Sequence, residues 1–213
     1  MQQILSRLRA AKVLPVLSIK NAEQAVPLAQ ALLEGGLSAV EVTFRTPAAA
    51  QAISQIRSAL PQMFVAAGTV LTKANADAAK SAGAQLAISP GISREMVEHC
   101  KKIELPLLPG CATPSELTLA VELGFGAVKL FPAKQLGGVE YLKALAAPFG
   151  GISFVPTGGI DLVSLAEYLA LPQVVACGGS FMVKEEWLAA GAWDKIAAAA
   201  RESVLLAGRK KNG

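Results

Sequence analysis

The feature that most constrains the fold is a set of eight short apolar runs that recur at intervals of roughly 20 to 27 residues. They occupy residues 13–19, 39–44, 64–67, 85–89, 105–108, 127–131, 152–155 and 174–177. Stretches rich in Ala, Leu, Gln, Glu and Lys separate them, as expected for helices. Strands that alternate with helices in this way indicate βαβ units with parallel pairing, and eight units favour a closed barrel over an open sheet.

Capping residues and glycines mark where the helices begin and end. The predicted caps are Asn21, Thr46, Thr113 and Asp161, and both threonines directly precede a proline. The glycines predicted to end helices are Gly35, Gly36, Gly83 and Gly124. An amphipathic helix over residues 1–10 precedes the first strand. The sequence therefore predicts an α/β fold, a single (β/α)8 TIM barrel with an extra N-terminal helix, as one domain over residues 1–213.

Composition excludes several classes of function. Of the 213 residues, 53% are hydrophobic and 17% are charged, which is typical of a globular chain with much two-sided burial. The formal net charge of +4 is concentrated in no run, except at Arg209, Lys210 and Lys211. We expect residues 209–213 to be a frayed tail rather than a nucleic-acid-binding arm.

The cysteines and the N-terminus indicate the compartment. Cys100, Cys111 and Cys177 match no metal-binding spacing, and their odd number argues against a disulfide framework. Residues 1–10 carry two arginines and resemble a helix rather than a signal peptide. No apolar stretch is long enough to span a bilayer. We therefore expect a soluble cytoplasmic protein with no membrane partner.

Polar residues interrupt the second predicted strand. A parallel strand covered on both faces should be almost entirely apolar. Alternation points Glu41, Thr43 and Arg45 toward the barrel axis, near the C-terminal strand ends where barrel enzymes place their active sites. The alternatives are a structural ion pair or a solvated strand end.

Lys129 lies within the sixth predicted strand, among apolar neighbours, and alternation points it inward together with Phe131. Burial disfavours a charged amine, and a cationic neighbour such as Arg45 would disfavour it further. A neutral amine is a nucleophile, so Lys129 is a candidate for covalent catalysis. The alternative is a buried Lys129–Glu41 salt bridge without chemistry. Lys20 competes less well because it lies in a polar loop.

Glycine-rich turns follow the last two predicted strands. Thr157, Gly158 and Gly159 belong to the first turn, and Gly179 and Ser180 to the second. Glycine lets backbone amides approach an anion closely, and this position matches the common phosphate site of TIM barrels. The alternative is a pair of tight turns.

For two further residues the sequence allows two interpretations each, and for a third it indicates no role. Thr69 follows the third strand and either binds a carboxylate or caps its helix. Pro90 follows the fourth strand and either walls a pocket or shapes a turn. His99, the single histidine, looks surface-facing and has no expected role. A metal site built on several histidines is therefore excluded.

Five segments in order resemble the 2-keto-3-deoxy-6-phosphogluconate (KDPG) aldolase family, which includes 4-hydroxy-2-oxoglutarate aldolases. They are VEVTFRTP at 40–47, AGTV at 67–70, ISPG at 88–91, VKLFPA at 128–133 and VPTGGI at 155–160. The resemblance spans nearly the whole chain. It implies a class I aldolase that cleaves the phosphorylated keto acid reversibly to pyruvate and glyceraldehyde 3-phosphate, the Entner–Doudoroff step, in a cytoplasmic homotrimer. It also implies that the enzyme needs neither a metal nor an organic cofactor.

The resemblance also assigns roles to matching residues. Lys129 takes the place of the imine-forming lysine and Glu41 that of the general acid/base. Arg45 and Thr69 match positions that hold the carboxylate, Phe131 and Pro90 match pocket walls, and the two glycine turns match phosphate-binding turns. The unphosphorylated 4-hydroxy-2-oxoglutarate, the galactonate epimer of the substrate, and a phosphate-ligand-binding barrel without catalysis stay open as alternatives.

Overall fold

Parallel strands alternate with helices along the chain in the computed structural model, which describes residues 1–208. The strands are β1 (Val13–Leu17), β2 (Ala39–Thr43), β3 (Phe64–Gly68), β4 (Leu86–Ile88), β5 (Leu107–Leu108), β6 (Gly110–Cys111), β7 (Ala127–Leu130), β8 (Ser153–Pro156) and β9 (Cys177–Gly179). The helices are α1 (Gln2–Ala11), α2 (Ala25–Glu34), α3 (Ala49–Ala59), α4 (Lys73–Ser81), α5 (Arg94–Lys102), α6 (Pro114–Glu122), α7 (Gly138–Ala146), α8 (Leu162–Leu169), α9 (Glu185–Ala189) and α10 (Trp193–Gly208). A short 3-10 helix, Ala22–Gln24, leads into α2.

Strand pairing closes the sheet into a barrel. The strands are ordered β5-β4-β3-β2-β1-β9 in one sheet and β6-β7-β8 in the other. Parallel bridges from Phe154 to Val174 and from Thr157 to Gly178 join β8 to the β9 segment. β5 and β6 are the two halves of the fifth barrel strand, on either side of Pro109. The Pro109 carbonyl accepts a hydrogen bond of 2.9 Å from the Lys129 amide. The predicted barrel with an N-terminal helix is confirmed.

Alternation along the strands sorts the apolar side chains into two cores. One core lies between the barrel and its helices and includes Val40 and Val42 of β2. The other fills the barrel interior and includes Phe64 and Ala66 of β3. Leu8 of α1 joins this interior core, so the N-terminal helix covers the end of the barrel opposite the C-terminal strand ends. Burial at that end leaves the other end for the site.

The predicted helix caps are confirmed at Thr113 and Asp161, which both form capping boxes. Asn21 caps the 3-10 helix. The cap at Thr46 is wrong: α3 begins at Ala49, and the Thr46 hydroxyl donates instead to the Ile19 carbonyl. The helix therefore begins two residues later than Pro47, where the sequence placed its start, and Thr46 bonds to the loop after β1.

Two predicted strands differ from the structure by more than a shortening or extension at one or both ends. The fifth continues past residue 108 as β6, because the chain resumes pairing after Pro109. The eighth begins at Cys177 rather than at residue 174, where there is only a single bridge. The predicted frayed tail, residues 209–213, lies outside the described residues. Within residues 1–208, no helix is both long enough and apolar enough to cross a membrane.

Candidate active site

A cavity of about 390 Å³ opens at the C-terminal ends of the strands. Every residue predicted to belong to the site lines it: Glu41, Arg45, Thr69, Pro90, Lys129, Phe131, Thr157, Gly158, Gly159, Gly179 and Ser180. These residues come from β2, β7 and β9 and from the loops that follow β2, β3, β4, β7, β8 and β9. The barrel therefore brings together side chains that are far apart in the sequence.

Lys129 and Glu41 form a buried polar contact in the cavity. The Lys129 side-chain nitrogen, Nζ, donates a hydrogen bond of 3.1 Å to Glu41 Oε1. The two side chains are 7% and 1% exposed. Nζ also lies 5.3 Å from the centre of the Phe131 ring. Alternation along β7 and β2 places both groups inside the barrel.

The second oxygen of Glu41 is positioned for a further partner. Oε2 is buried and has no hydrogen-bond partner within residues 1–208. A buried carboxylate oxygen without a partner is costly, and such atoms are concentrated at functional sites. Oε2 can accept a proton or a hydrogen bond from a molecule in the cavity.

Gly68 at the end of β3 makes room for the carboxylate. A Cβ atom at this position would lie 2.1 Å from Glu41 Oε1 and 2.6 Å from Glu41 Cγ. No side chain larger than hydrogen fits there without moving Glu41. The sequence analysis assigned Gly68 no role, because the contact depends on the lateral pairing of β2 with β3.

Arg45 and Thr69 bring a cation and a hydroxyl to the cavity. Arg45 Nε donates a hydrogen bond of 3.1 Å to the Thr43 hydroxyl, which itself donates to the Leu17 carbonyl at 2.8 Å. Thr69 has a φ of 55°, a strained value for a β-branched residue. The alternative that Thr69 caps its helix is wrong, because Thr72 is the N-cap of α4.

The two glycine turns lie side by side. Gly158 and Gly159 have φ values of 103° and 72°, which L side chains rarely adopt. A Cβ atom at Gly178 would lie 2.3 Å from the Thr157 hydroxyl, so the first turn packs directly on the second. Amide groups of such turns make a cradle for an anion.

An ion pair lies beside the first glycine turn, outside the cavity. Asp161, just after the first turn, caps α8 through the Ser164 amide, and this hydrogen bond holds the pKa of its carboxyl below the usual value. Lys134 Nζ lies 3.7 Å from Asp161 Oδ2. The exposed cation therefore offsets a carboxylate that stays ionised beside the turn.

Four cavity residues had no predicted role: Val16, Thr43, Ile160 and Phe181. Alternation along β2 predicted that Thr43 points inward, but it did not predict the hydrogen bonds that Thr43 makes. Phe181 follows the second turn, and its ring lies 2.7 Å from where a Gly179 Cβ would be. No sequence pattern indicates that contact.

The competing residues lie elsewhere. Lys20 pairs with Glu185 and has a side chain that is 76% exposed. His99 was expected to face the surface, but its ring is only 16% exposed and lies 2.8 Å from the Asp77 carboxylate. The prediction of exposure was wrong because α4 and α5 pack together around this pair.

The chain matches a known protein family over most of its length. The family model for KDPG and KHG aldolases matches residues 4–199. The chain is 45% identical to the 2-dehydro-3-deoxy-phosphogluconate aldolase of Treponema pallidum, over 96% of this chain and 98% of that one.

Two solved structures are similar over nearly the full chain. The KDPG aldolase of Legionella pneumophila, with pyruvate captured as a covalent carbinolamine, has a TM-score of 0.89 at 41% identity and covers 92% of this chain and 96% of its own. The Zymomonas mobilis ZM4 enzyme, solved with 3-phosphoglycerate, has a TM-score of 0.88 at 40% identity and covers 95% of each chain.

Proposed function

Because the chain belongs to the KDPG and KHG aldolase family, we propose that it is a metal-independent class I aldolase. It cleaves 2-dehydro-3-deoxy-6-phosphogluconate reversibly to pyruvate and glyceraldehyde 3-phosphate. The observation that carries this proposal is the buried contact of 3.1 Å between Lys129 Nζ and Glu41 Oε1. It supplies a nucleophile and a base at hydrogen-bond distance in one cavity.

The first step forms the imine. As Lys129 Nζ attacks the C2 carbonyl carbon, Glu41 is the carboxylate within reach of the proton that the amine gives up. Glu41 returns the proton to the carbinolamine oxygen, which leaves as water. The cationic iminium that remains is an electron sink, and Glu41 is ionised again for the next step. The face of the Phe131 ring near Nζ stabilises that positive charge.

Cleavage and release use the same carboxylate. Glu41 removes the proton from the C4 hydroxyl, the C3–C4 electron pair moves into the iminium, and C4 leaves as the aldehyde carbon of glyceraldehyde 3-phosphate. The remaining enamine takes a proton at C3 from Glu41. Water then hydrolyses the imine, which frees pyruvate and Lys129.

Binding groups hold the two ends of the substrate in this scheme. Arg45 and Thr69 bind the carboxylate of the keto acid, and the turns with Thr157, Gly158, Gly159, Gly179 and Ser180 bind the phosphate. Pro90 and Phe131 wall the cavity. Two fixed ends orient C2, C3 and C4 over Lys129, so remote binding energy lowers the barrier of the chemical steps.

Trapping with borohydride tests the mechanism on the unmodified protein. Borohydride added with pyruvate should reduce the imine, inactivate the protein and leave one reduced pyruvyl group on Lys129, as read by peptide mass spectrometry. Lys129→Met should lose trapping and cleavage, whereas Lys20→Met, a matched change of an exposed lysine, should retain both. A wild-type adduct on another lysine would overturn the assignment.

Glu41→Gln separates the two roles in the same assay. The variant should still trap pyruvate, while cleavage slows by about 10²- to 10⁴-fold, because an amide cannot transfer protons. A chelator should leave the rate unchanged. Activity that is lost with a chelator and restored by a divalent metal would favour a metal enolate instead.

A second substrate has some support, because the family model covers both aldolases named in it. The unphosphorylated 4-hydroxy-2-oxoglutarate and the galactonate epimer would undergo the same imine chemistry. The glycine turns favour the phosphorylated acids. Cleavage rates measured with all three compounds show which of them is the preferred substrate. The homotrimer, the cytoplasmic location and the single domain over residues 1–213 stay predictions.

A further inference from the structure

We propose that Thr43 is a positioning residue that orients the Arg45 guanidinium toward the carboxylate of the keto acid. The proposal rests on the aldolase function and adds a role that catalysis itself does not require. Thr43 touches neither Lys129 nor Glu41 through a hydrogen bond within residues 1–208. Its role is therefore exerted through Arg45.

The direction of the hydrogen bonds at Thr43 is fixed. A threonine hydroxyl has one proton, and at Thr43 the carbonyl of Leu17 accepts it at 2.8 Å. The oxygen lone pairs are then left to accept from Arg45 Nε at 3.1 Å. Because Thr43 is 1% exposed, water does not compete for these positions.

This arrangement selects one edge of the guanidinium. Arginine can bind a carboxylate through Nε and one Nη atom, or through its two Nη atoms. With Nε donated to Thr43, the two Nη atoms form the edge that remains for a bidentate contact. The carboxylate therefore meets Arg45 end-on.

Pre-organisation is the benefit of such a contact. Arg45 lies past the end of β2 and is exposed, so its long side chain has many rotamers to lose when a ligand binds. Thr43 is held rigidly in β2, whose register against β3 pairs Thr43 with Gly68. A fixed acceptor on a buried strand limits Arg45 before the ligand arrives, and this raises affinity without a new ligand contact.

Three variants test the proposal in the pyruvate-trapping assay. Thr43→Val keeps the shape but removes the hydroxyl, whereas Thr43→Ser keeps the hydroxyl. Thr46→Val is the matched control, since the Thr46 hydroxyl also donates to a backbone carbonyl, that of Ile19 after β1, but makes no hydrogen bond to the Arg45 side chain within residues 1–208. Thermal unfolding curves of all three variants check that each is folded at the assay temperature, so that affinities of folded proteins are compared.

Thr43→Val should raise the half-saturating pyruvate concentration about tenfold, with a limiting trapping rate within about twofold of wild type. Thr43→Ser should recover most of that affinity, and Thr46→Val should leave it unchanged. In an Arg45→Met background, Thr43→Val should have no further effect. An increase no larger than that of Thr46→Val, or an equal increase without Arg45, would overturn the proposal.

Binding of L-lactate keeps this test independent of the chemistry. Lactate has the carboxylate but no ketone, so it cannot form an imine with Lys129. Its dissociation constant, measured by calorimetry, should rise by a similar factor in Thr43→Val and not in Thr46→Val. Failure of trapping in the wild type would contradict the aldolase function, while an unchanged lactate affinity in Thr43→Val would contradict the role of Thr43.

Discussion

At the scale of single residues, the site depends on a carboxylate held at one position by its neighbours. Glu41 is 1% exposed, and one of its oxygens is within 3.1 Å of Lys129 while the other is free of partners in residues 1–208. Gly68 borders this carboxylate so closely that its missing side chain is part of the site. The rate of proton transfer falls steeply when the base is displaced slightly, so a side chain at position 68 that moved Glu41 would slow catalysis.

Gly68→Ala should lower the cleavage rate by about 10²-fold, because the new methyl group overlaps Glu41 and displaces its carboxylate. Overpacking should also cost about 1–3 kcal/mol of unfolding free energy. Steady-state kinetics and denaturant unfolding measure the two effects separately.

Gly126→Ala is the control for that change, since a Cβ atom there would meet nothing within 4 Å. It should retain cleavage within about twofold of wild type. If Gly68→Ala were as active as Gly126→Ala, Glu41 would have to be mobile enough to step aside, and its fixed position would not matter for catalysis.

At the scale of elements, alternation in the sequence predicted most of the architecture. It placed Glu41, Thr43 and Lys129 inside the barrel, and all three line the cavity. It did not predict that the fifth barrel strand resumes after Pro109. A proline ends the strand pattern in the sequence, whereas the pairing after it depends on the neighbouring strand.

Contacts between elements account for the other errors. Thr46 has the sequence of a helix cap, but the Ile19 carbonyl competes for its hydroxyl and only the folded barrel brings the two together. The same holds for Gly68 against Glu41 and for Phe181 against Gly179. Sequence pattern gives the face of a residue, and tertiary packing decides its partner.

The capping box of α6 offers a prediction at this scale. Glu116 Oε2 accepts hydrogen bonds of 2.8 Å from the amides of Thr113 and Ala112, and the Thr113 hydroxyl caps the helix in return. Thr113→Ala should lower the unfolding free energy by about 1–2 kcal/mol and leave the catalytic rate unchanged. Denaturant unfolding followed by circular dichroism measures the loss.

Thr118→Ala, on the same helix, is its matched control. The Thr118 hydroxyl is exposed and donates to the Pro114 carbonyl within the helix, so its loss should change stability by no more than about 0.5 kcal/mol. Equal losses in the two variants would show that the capping box contributes nothing specific.

At the scale of the whole molecule, the two hydrophobic cores stabilise the barrel, and its open end holds the cavity. The outer core fixes the helices to the barrel, and the inner core with α1 closes the end away from the cavity. The net charge of +4 adds a weak attraction for an anionic substrate at the open end. Stability of the whole barrel, rather than any one contact, keeps Lys129 away from water.

Buried thiols link this global stability to pH. Burial, and then the charge of Glu116, raise the pKa of Cys111 from 9.0 to about 12. Burial raises the pKa of Cys100 and Cys177 as well. In the unfolded chain a thiol ionises near pH 9, whereas in the fold it keeps its proton, so the folded state binds more protons above that pH. Stability must therefore fall as the pH rises from 9 toward 12.

Cys111→Ala isolates one part of this fall. The variant should be less stable than wild type by a constant amount below pH 9, through the lost packing of the thiol. Above pH 9, the difference should shrink by up to about 1.4 kcal/mol per pH unit, because only the wild type loses stability through Cys111. Unfolding free energies measured between about pH 7 and 10.5 give both slopes, since other alkaline titrations affect both proteins equally. Parallel curves would mean that the Cys111 thiol ionises as readily in the fold as in the unfolded chain, and that its burial is not maintained in solution.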